Sequence, residues 1–269
     1  MSCLVYCILR DGGPIAGNLP VGMDGETVSL VSDGGLSAAC SAVPDEFITP
    51  SVCRARAYAQ VVGELHAACT VLPVRYGSVL GTQAQVARLL RQRASDFHAA
   101  LRRLDGCDEM GIRMMLTRAE PAGPVQPSAL RDFPAGAGGA AYLHARARFY
   151  AEDDGNARAA AEEAERCKAA FSGLFAECKT EPCARHNAVS GAALLSLHFL
   201  VRRECEVDFR RTFRTWSRGR GRKSLLTGPW PPYNFAGCCE ERERPAGLPD
   251  GILWGLAHLG GTLDRSSSV

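Results

Sequence analysis

Leu225-Leu226-Thr227-Gly228-Pro229-Trp230-Pro231-Pro232-Tyr233-Asn234-Phe235 is the least ordinary stretch of the chain. Pro229, Pro231 and Pro232 fix φ and keep the residues before them extended, so the segment is stiff before any tertiary contact forms. It carries two aromatics with polar handles, Trp230 and Tyr233, each needing a hydrogen-bond partner once buried. No nucleophile, base or metal ligand lies inside it. It reads as a locking or docking element that follows a short strand at Ser224–Thr227.

Upstream, Cys205, Phe209, Phe213 and Trp216 step 4, 4, 3, which predicts an amphipathic helix with an arginine-rich outer face. Ala192–Val201 reads as a buried strand. Ala160, Ala164, Cys167, Phe171, Leu174 and Cys178 step 4, 3, 4, 3, 4, which predicts a long helix over about 139–178, disturbed at Asp153-Asp154-Gly155-Asn156. Such a stripe packs on its own sheet or on one helix partner more readily than in a free coiled coil. The Pro-, Ala- and Gly-rich residues 119–139 read as a connector, and Ile112–Leu116 as a strand.

Nearer the N-terminus, Leu4–Leu9 is an apolar run of strand length stopped by Asp11-Gly12-Gly13-Pro14. Thr27–Val31 and Leu36–Val43 flank Ser32-Asp33-Gly34-Gly35 and read as a hairpin. Thr49-Pro50 is a helix start, with a helix to Ala68 that buries Val52, Tyr58, Val62 and Leu65. Val71–Val79 reads as a strand whose Pro73 argues for an edge or an end. Thr82 caps a second helix through Leu104. The order β-β-β-α-β-α-β predicts an α+β protein. We divide it into an N-terminal mixed β/α domain (1–105), a C-terminal α+β domain with the long helix (106–236) and a tail (237–269). The strand over 107–118 lies at the first boundary. In the tail, Cys238-Cys239-Glu240-Glu241-Arg242-Glu243-Arg244 reads as a solvated link, Ile252–Leu259 as a small docking helix, and Ser266–Ser268 as a frayed end.

Bulk properties narrow the functional classes. Lys+Arg 31 against Asp+Glu 29 leaves a net charge of +2, too small for a global field that draws in nucleic acid or an anionic membrane. Only Lys168, Lys179 and Lys223 are lysine; with so much Ala and Gly, the arginine excess reads as coding bias rather than phosphate binding. The longest uncharged apolar run, Asn187–Val201, has 15 residues, short of the ~20 that span a bilayer. Met1–Tyr6 has neither a basic n-region nor a cleavage site, so a cytosolic location is expected. The 12 cysteines are therefore expected as reduced thiols, several of them acting as small hydrophobes (Cys7, Cys69, Cys167).

The stretch Leu225–Phe235 closely resembles the C-terminal signature of the gas vesicle GvpF/GvpL family. Val71-Leu72-Pro73-Val74-Arg75-Tyr76-Gly77-Ser78-Val79 resembles a second family segment, with Tyr76 where the family usually has Phe. Glu109-Met110-Gly111-Ile112-Arg113 and Gly139-Ala140-Ala141-Tyr142-Leu143 are weaker matches, and the four follow the family's order over about residues 4–235. The tail after Phe235 matches no such pattern. The resemblance implies two α+β domains, the C-terminal one a modified ferredoxin-like fold. It also implies a non-enzymatic accessory or minor structural protein of the gas vesicle, with a soluble cytoplasmic pool and no cofactor. By the same resemblance, it binds the hydrophobic shell subunit GvpA during nucleation and assembly and keeps it from aggregating. Other vesicle accessory proteins would be further partners; nucleic acid and membrane would not. Candidate structural or partner-binding residues are Gly228, Pro229, Trp230, Pro231, Pro232, Tyr233, Asn234 and Phe235, with Pro73, Arg75, Tyr76 and Gly77.

Competing chemistry is sparse. Cys178, Cys183 and His186 form C-x4-C-x2-H, the best metal-like cluster, and define the alternative of a metal- or thiol-dependent enzyme. A fourth ligand would have to come from Cys205 or the Cys238-Cys239 pair, and the paired spacing of structural zinc is missing. His66, His98, His144, His198 and His258 stand singly and read as surface or satisfied core residues. Arg218-Gly219-Arg220-Gly221-Arg222-Lys223 is a basic run without interleaved aromatics, a solvated loop or a contact for an acidic partner before it is a nucleic-acid clamp.

Overall fold

A computed structural model describes residues 2–13, 19–44, 51–116, 157–185, 193–218 and 223–237. Contacts divide the chain into two compact units, residues 1–109 with 229–269 and residues 110–228. The chain passes between them at 109/110 and 228/229, where the expected divisions lay at 105/106 and 236/237.

The first unit begins with β1 (Ser2–Arg10), β2 (Ser29–Asp33) and β3 (Leu36–Val43), followed by α1 (Val52–Ala68). The hairpin turns at Gly34 and Gly35, whose φ values of 63° and 74° are the pair a two-residue β-turn of matching twist requires. Then come β4 (Val71–Pro73), β5 (Val79–Leu80), α2 (Gln83–Gln92) and α3 (Ala94–Arg103). The strands order as β2-β3-β1-β4, with β5 also paired to β1, and every pairing is antiparallel. Helix α1 packs against β1 and β4, while α2 and α3 pack against the same sheet through residues such as Val86, Leu90, Phe97 and Leu101. Strand β1 is therefore buried at every position from Ser2 to Leu9, which is why it reads as a continuous apolar run rather than an alternation.

Two irregularities shape this core. Val5 pairs with Cys40 but Cys7 with Ala39, so Tyr6 is the extra residue of a bulge. Tyr6 and Cys7 then join the same cluster as Leu4, Leu9, Tyr58, Val62 and Leu65. On the other side of β1, Pro73 pairs with Cys7 and Val79 with Leu4. An unbroken register would have set Tyr76 opposite Leu4, so Arg75-Tyr76-Gly77 swing out of the edge strand. Their turn is closed by Ser78 N–H donating to the Arg75 carbonyl at 3.1 Å, with Gly77 at φ 83°. The expected single strand Val71–Val79 is thus an edge strand with an excursion.

Other sequence expectations shift for local reasons. Thr49-Pro50 lies outside the described residues, and the cap of α1 is Ser51, whose hydroxyl accepts from Arg54 N–H at 3.2 Å. That start leaves Val52 56% exposed instead of buried, while Tyr58, Val62 and Leu65 are buried as expected. Thr82 does cap a helix, accepting from Gln85 N–H at 3.2 Å. The helix breaks at Arg93 (φ −116°, ψ 22°), because α2 follows β2 and β3 whereas α3 turns to follow β1 and β4 on a twisted sheet.

The second unit continues β6 (Cys107–Leu116) into α4 (described over 157–170), β7 (Glu177–Arg185), β8 (Ala193–Arg202), α5 (Glu206–Arg218) and β9 (Ser224–Trp230). Its sheet order β7-β8-β6-β9, with β-α-β-β-α-β connectivity, is the ferredoxin-like arrangement. Phe171 holds the core together, with ring centroids 4.6 Å from Phe209, 5.7 Å from Phe199 and 5.9 Å from Trp216. Ala160, Ala164, Cys167 and Phe171 are the buried stripe anticipated for the long helix. The helix stops earlier than 178, because a turn with Gly173 at φ 83° reverses the chain into β7 and puts Cys178 on a strand. Residues 117–156 lie outside the described residues.

Tyr58 makes the first unit's core testable. Its hydroxyl lies 2.7 Å from the Val74 carbonyl oxygen and 3.0 and 3.1 Å from those of Tyr6 and Val5. Tyr58→Phe, which keeps the ring, is expected to destabilise the fold by about 1–3 kcal/mol, read from the urea midpoint at unchanged slope.

Candidate functional site

The proline-rich segment divides into two halves. Its first half, Gly228-Pro229-Trp230, extends β9 well past the expected end at Thr227. Gly228 has φ 106°, a conformation that favours glycine, and its carbonyl accepts from Arg210 Nη2 at 2.8 Å. Pro229 is exposed, and Trp230 is 52% exposed rather than buried.

The second half, within the first unit, is an anchor. Pro231 and Pro232 are buried, and Tyr233–Phe235 form a single tight helical turn. Phe235 is fully buried, and Tyr233 packs against the cluster of Leu4, Tyr6, Cys7 and Tyr58. The Tyr233 hydroxyl is buried without a hydrogen-bond partner among the described residues. Burial, reinforced by Cys7 and Glu109 nearby, pushes its pKa far above the ordinary phenol value, so it stays neutral.

Asn234 completes the anchor. Its backbone N–H donates to Glu109 Oε2 at 2.8 Å and its side-chain Nδ2 to Oε1 at 2.6 Å. Glu109 is only 4% exposed, so both carboxylate oxygens are met by donors from one residue. The Arg103 guanidinium donates to the Phe235 carbonyl and, at 3.3 Å, to that of Gly237. Two segments quoted for their resemblance, Glu109–Arg113 and Leu225–Phe235, thus meet through Asn234 at a buried carboxylate.

The segment around Pro73 converges on the same core. Pro73 ends β4, Arg75 and Gly77 are exposed, and the Tyr76 ring meets Tyr58 edge-on at 5.3 Å. Tyr58 also stacks on Tyr6 at 5.0 Å. The Tyr6 hydroxyl accepts from Met23 N–H at 2.8 Å and lies 2.8 Å from Ser41 Oγ. A Cβ on Gly22 would sit 2.7 Å from that hydroxyl, so the loop approaches only because position 22 is glycine.

The alternative chemistry gains no support from the geometry. Burial pushes the Cys178 thiol up to about 11, away from the lowered value that a nucleophilic or metal-ligating thiolate needs. His186 and the side chain of Cys183 lie outside the described residues, among which no group of three or more His, Cys, Asp or Glu is placed to hold a metal ion. The buried Cys40 thiol is likewise raised, to about 12. His66 Nε2 lies 2.7 Å from Asp108, and His198 Nε2 lies 3.2 Å from Glu181, so both are partnered histidines of buried positions. Arg218 and Lys223 flank the rest of the basic run, which is not described. No helix of the described residues is long and apolar enough to cross a membrane.

Glu109 and Arg103 are the site residues that sequence reading left without a role. Glu109 stood inside a quoted motif, but its partner is 125 positions away and no periodicity links the two.

Fold and site together define a two-sheet α+β protein in which a proline-framed segment is anchored by a buried carboxylate and displays an aromatic at its free end. Residues 2–237 match the family described as gas vesicle synthesis protein GvpL/GvpF. The chain is 32% identical over 259 residues to gas vesicle protein L of Streptomyces sp. (strain CB03234), covering 88% of this chain and 93% of that protein. The crystal structure of GvpF from Microcystis aeruginosa matches with TM-score 0.66 at 18% identity, covering 88% of this chain and 99% of that one. GvpF from Anabaena sp. PCC7120 matches with TM-score 0.68 at 16% identity, covering 91% and 99%. These two likenesses concern the fold. The chain belongs to the gas vesicle GvpL/GvpF family.

The anchor is open to a direct check. Asn234→Ala removes the side-chain donor to a buried carboxylate, with an expected loss of about 1.5–3 kcal/mol in urea unfolding. Asn234→Asp, which sets a second carboxylate against Glu109 where the amide now donates, is expected to lose more than Asn234→Ala in the same measurement. Thiol labelling at pH 8 is expected to be fast at the exposed Cys53 and slow at Cys40 and Cys178 until the protein is unfolded.

Proposed function

We propose that this protein is a non-enzymatic assembly factor that binds the shell subunit GvpA, shields its apolar surface and assists nucleation and growth of the gas vesicle. A subunit with a gas-facing apolar surface aggregates in water unless a partner covers it. The family supports the vesicle context. The observation that carries the binding role is Trp230: half-exposed, with Pro231 and Pro232 buried beside it and Pro229 stiffening it from the other side. An indole held rigid yet left open has little entropy to lose when a partner buries it, which is the character of an interface hot spot. The site of action on this reading is the vesicle surface, fed from a soluble cytoplasmic pool, with other vesicle accessory proteins as further partners.

Co-expression with GvpA, followed by affinity capture and a solubility assay, tests the proposal. Soluble, co-eluting GvpA is the expected result; GvpA that neither co-elutes nor gains solubility would sink it. Trp230→Ala is expected to leave the melting midpoint within about 2 °C, since the ring is half in water, and to weaken capture by about 2 kcal/mol. A large drop in the midpoint would instead make Trp230 a packing residue.

A further inference from the structure

Strand β9 ends the second unit's sheet, and no strand among the described residues pairs its outer side. Met115 N–H donates to the Lys223 carbonyl at 3.0 Å, which faces residue 223 towards β6. By antiparallel alternation, the backbone groups of Ser224, Leu226 and Gly228 face outward, and the Gly228 carbonyl meets Arg210 there. The outward groups of Ser224 and Leu226 form a ready edge for another strand.

Beside that edge, α5 and β9 enclose an open hollow of about 300 Å³ lined by Arg210, Phe213, Arg214, Ser224, Leu225 and Leu226. Half-buried Phe213 and Leu226 form its apolar wall, and by strand alternation the Leu225 side chain, 57% exposed, stands on the opposite face of the sheet. Its charge is one-sided. Arg210 and Arg211 are held by Glu206 and Asp208 at 2.8 and 2.6 Å. Arg214, Arg218 and Lys223 have no ion-pair partner among the described residues. A strand edge with no neighbouring strand among the described residues therefore runs between Arg214 on the α5 face and exposed Leu225.

We propose that this edge binds an extended peptide segment in which carboxylates alternate with apolar side chains, adding it as a fifth strand. Main-chain hydrogen bonds to Ser224 and Leu226 supply the pairing, the carboxylates point to the α5 face, where Arg214 lines the hollow, and the apolar side chains, on the opposite face, lie beside exposed Leu225. The inference goes beyond the shell-subunit reading, because it states the chemistry of the bound segment whichever vesicle component carries it.

The probe is a fluorescein-labelled octapeptide of alternating glutamate and valine, titrated against the full chain at low salt and followed by anisotropy. Saturable binding is expected, weakened about fivefold or more by Arg214→Glu and by Ser224→Pro. Proline is tolerated at a strand's first position and here removes an outward N–H. The same peptide N-methylated at alternate residues keeps its charge and side chains but loses its strand-pairing donors, and is expected not to bind; this arm needs no variant to fold. Absence of saturable binding, equal binding of a lysine–valine octapeptide, or undiminished binding of the N-methylated peptide would each overturn the proposal. Displacement by a single-stranded oligonucleotide that itself binds more tightly and equally well to Ser224→Pro would also overturn it, making the surface a polyanion site.

Discussion

Backbone hydrogen bonding is the constraint on which the first unit depends. Strand β1 bulges at Tyr6, and its edge partner swings out at Arg75–Gly77, so the ladder between them is interrupted beside the buried residues of β1. Carbonyl groups stranded in such a place carry a penalty of about 1–3 kcal/mol each unless something else meets them. Tyr58, from the middle of α1, reaches that point with one hydroxyl and donates to the Val74 carbonyl. Its ring then becomes the surface on which Tyr6 stacks and Tyr76 abuts. Helix, bulge and excursion therefore form one packing unit, and none of the three is free to move without exposing a polar backbone group.

The proline-rich segment uses that core as an anchorage. Phe235 is fully buried, Tyr233 leans on the tyrosine cluster, and Asn234 fills both oxygens of Glu109. Stiffness and anchorage have opposite consequences at the two ends of the segment. At Tyr233–Phe235 the chain is pinned by side chains; at Trp230 the same stiffness holds an aromatic in water. The proposed function and the strand-edge inference use different parts of this arrangement, one the indole and the other the outer side of β9. They can therefore succeed or fail separately.

Much of the fold was legible in the residues. The hairpin around Gly34-Gly35, the Thr82 cap, the helical stripes, the edge character of Pro73 and the β8 strand follow from local patterns that act within a few positions. The expectations that moved did so where distant parts competed. Arg93 breaks a continuous helical pattern because a twisted sheet cannot be followed by one straight helix. Cys178 keeps its place in an apolar stripe but stands on a strand, since helix and strand both can bury it. Val52 fits the helical stripe yet faces water at the first position of α1.

What the chain order dictated is local: apolar periods, turn glycines, capping hydroxyls and the stiffness of Pro229–Pro232. Such features depend on neighbours at most a turn or a hairpin away, so their physics is written in consecutive residues. Tertiary structure alone decided which side of the stiff segment is anchored and which is open. Glu109 and Asn234 each look like an ordinary polar residue in sequence, and only folding brings them within 2.6 Å and buries the carboxylate. The outward edge of β9 is equally a property of the sheet, because a strand's pairing depends on which neighbours the topology sets beside it.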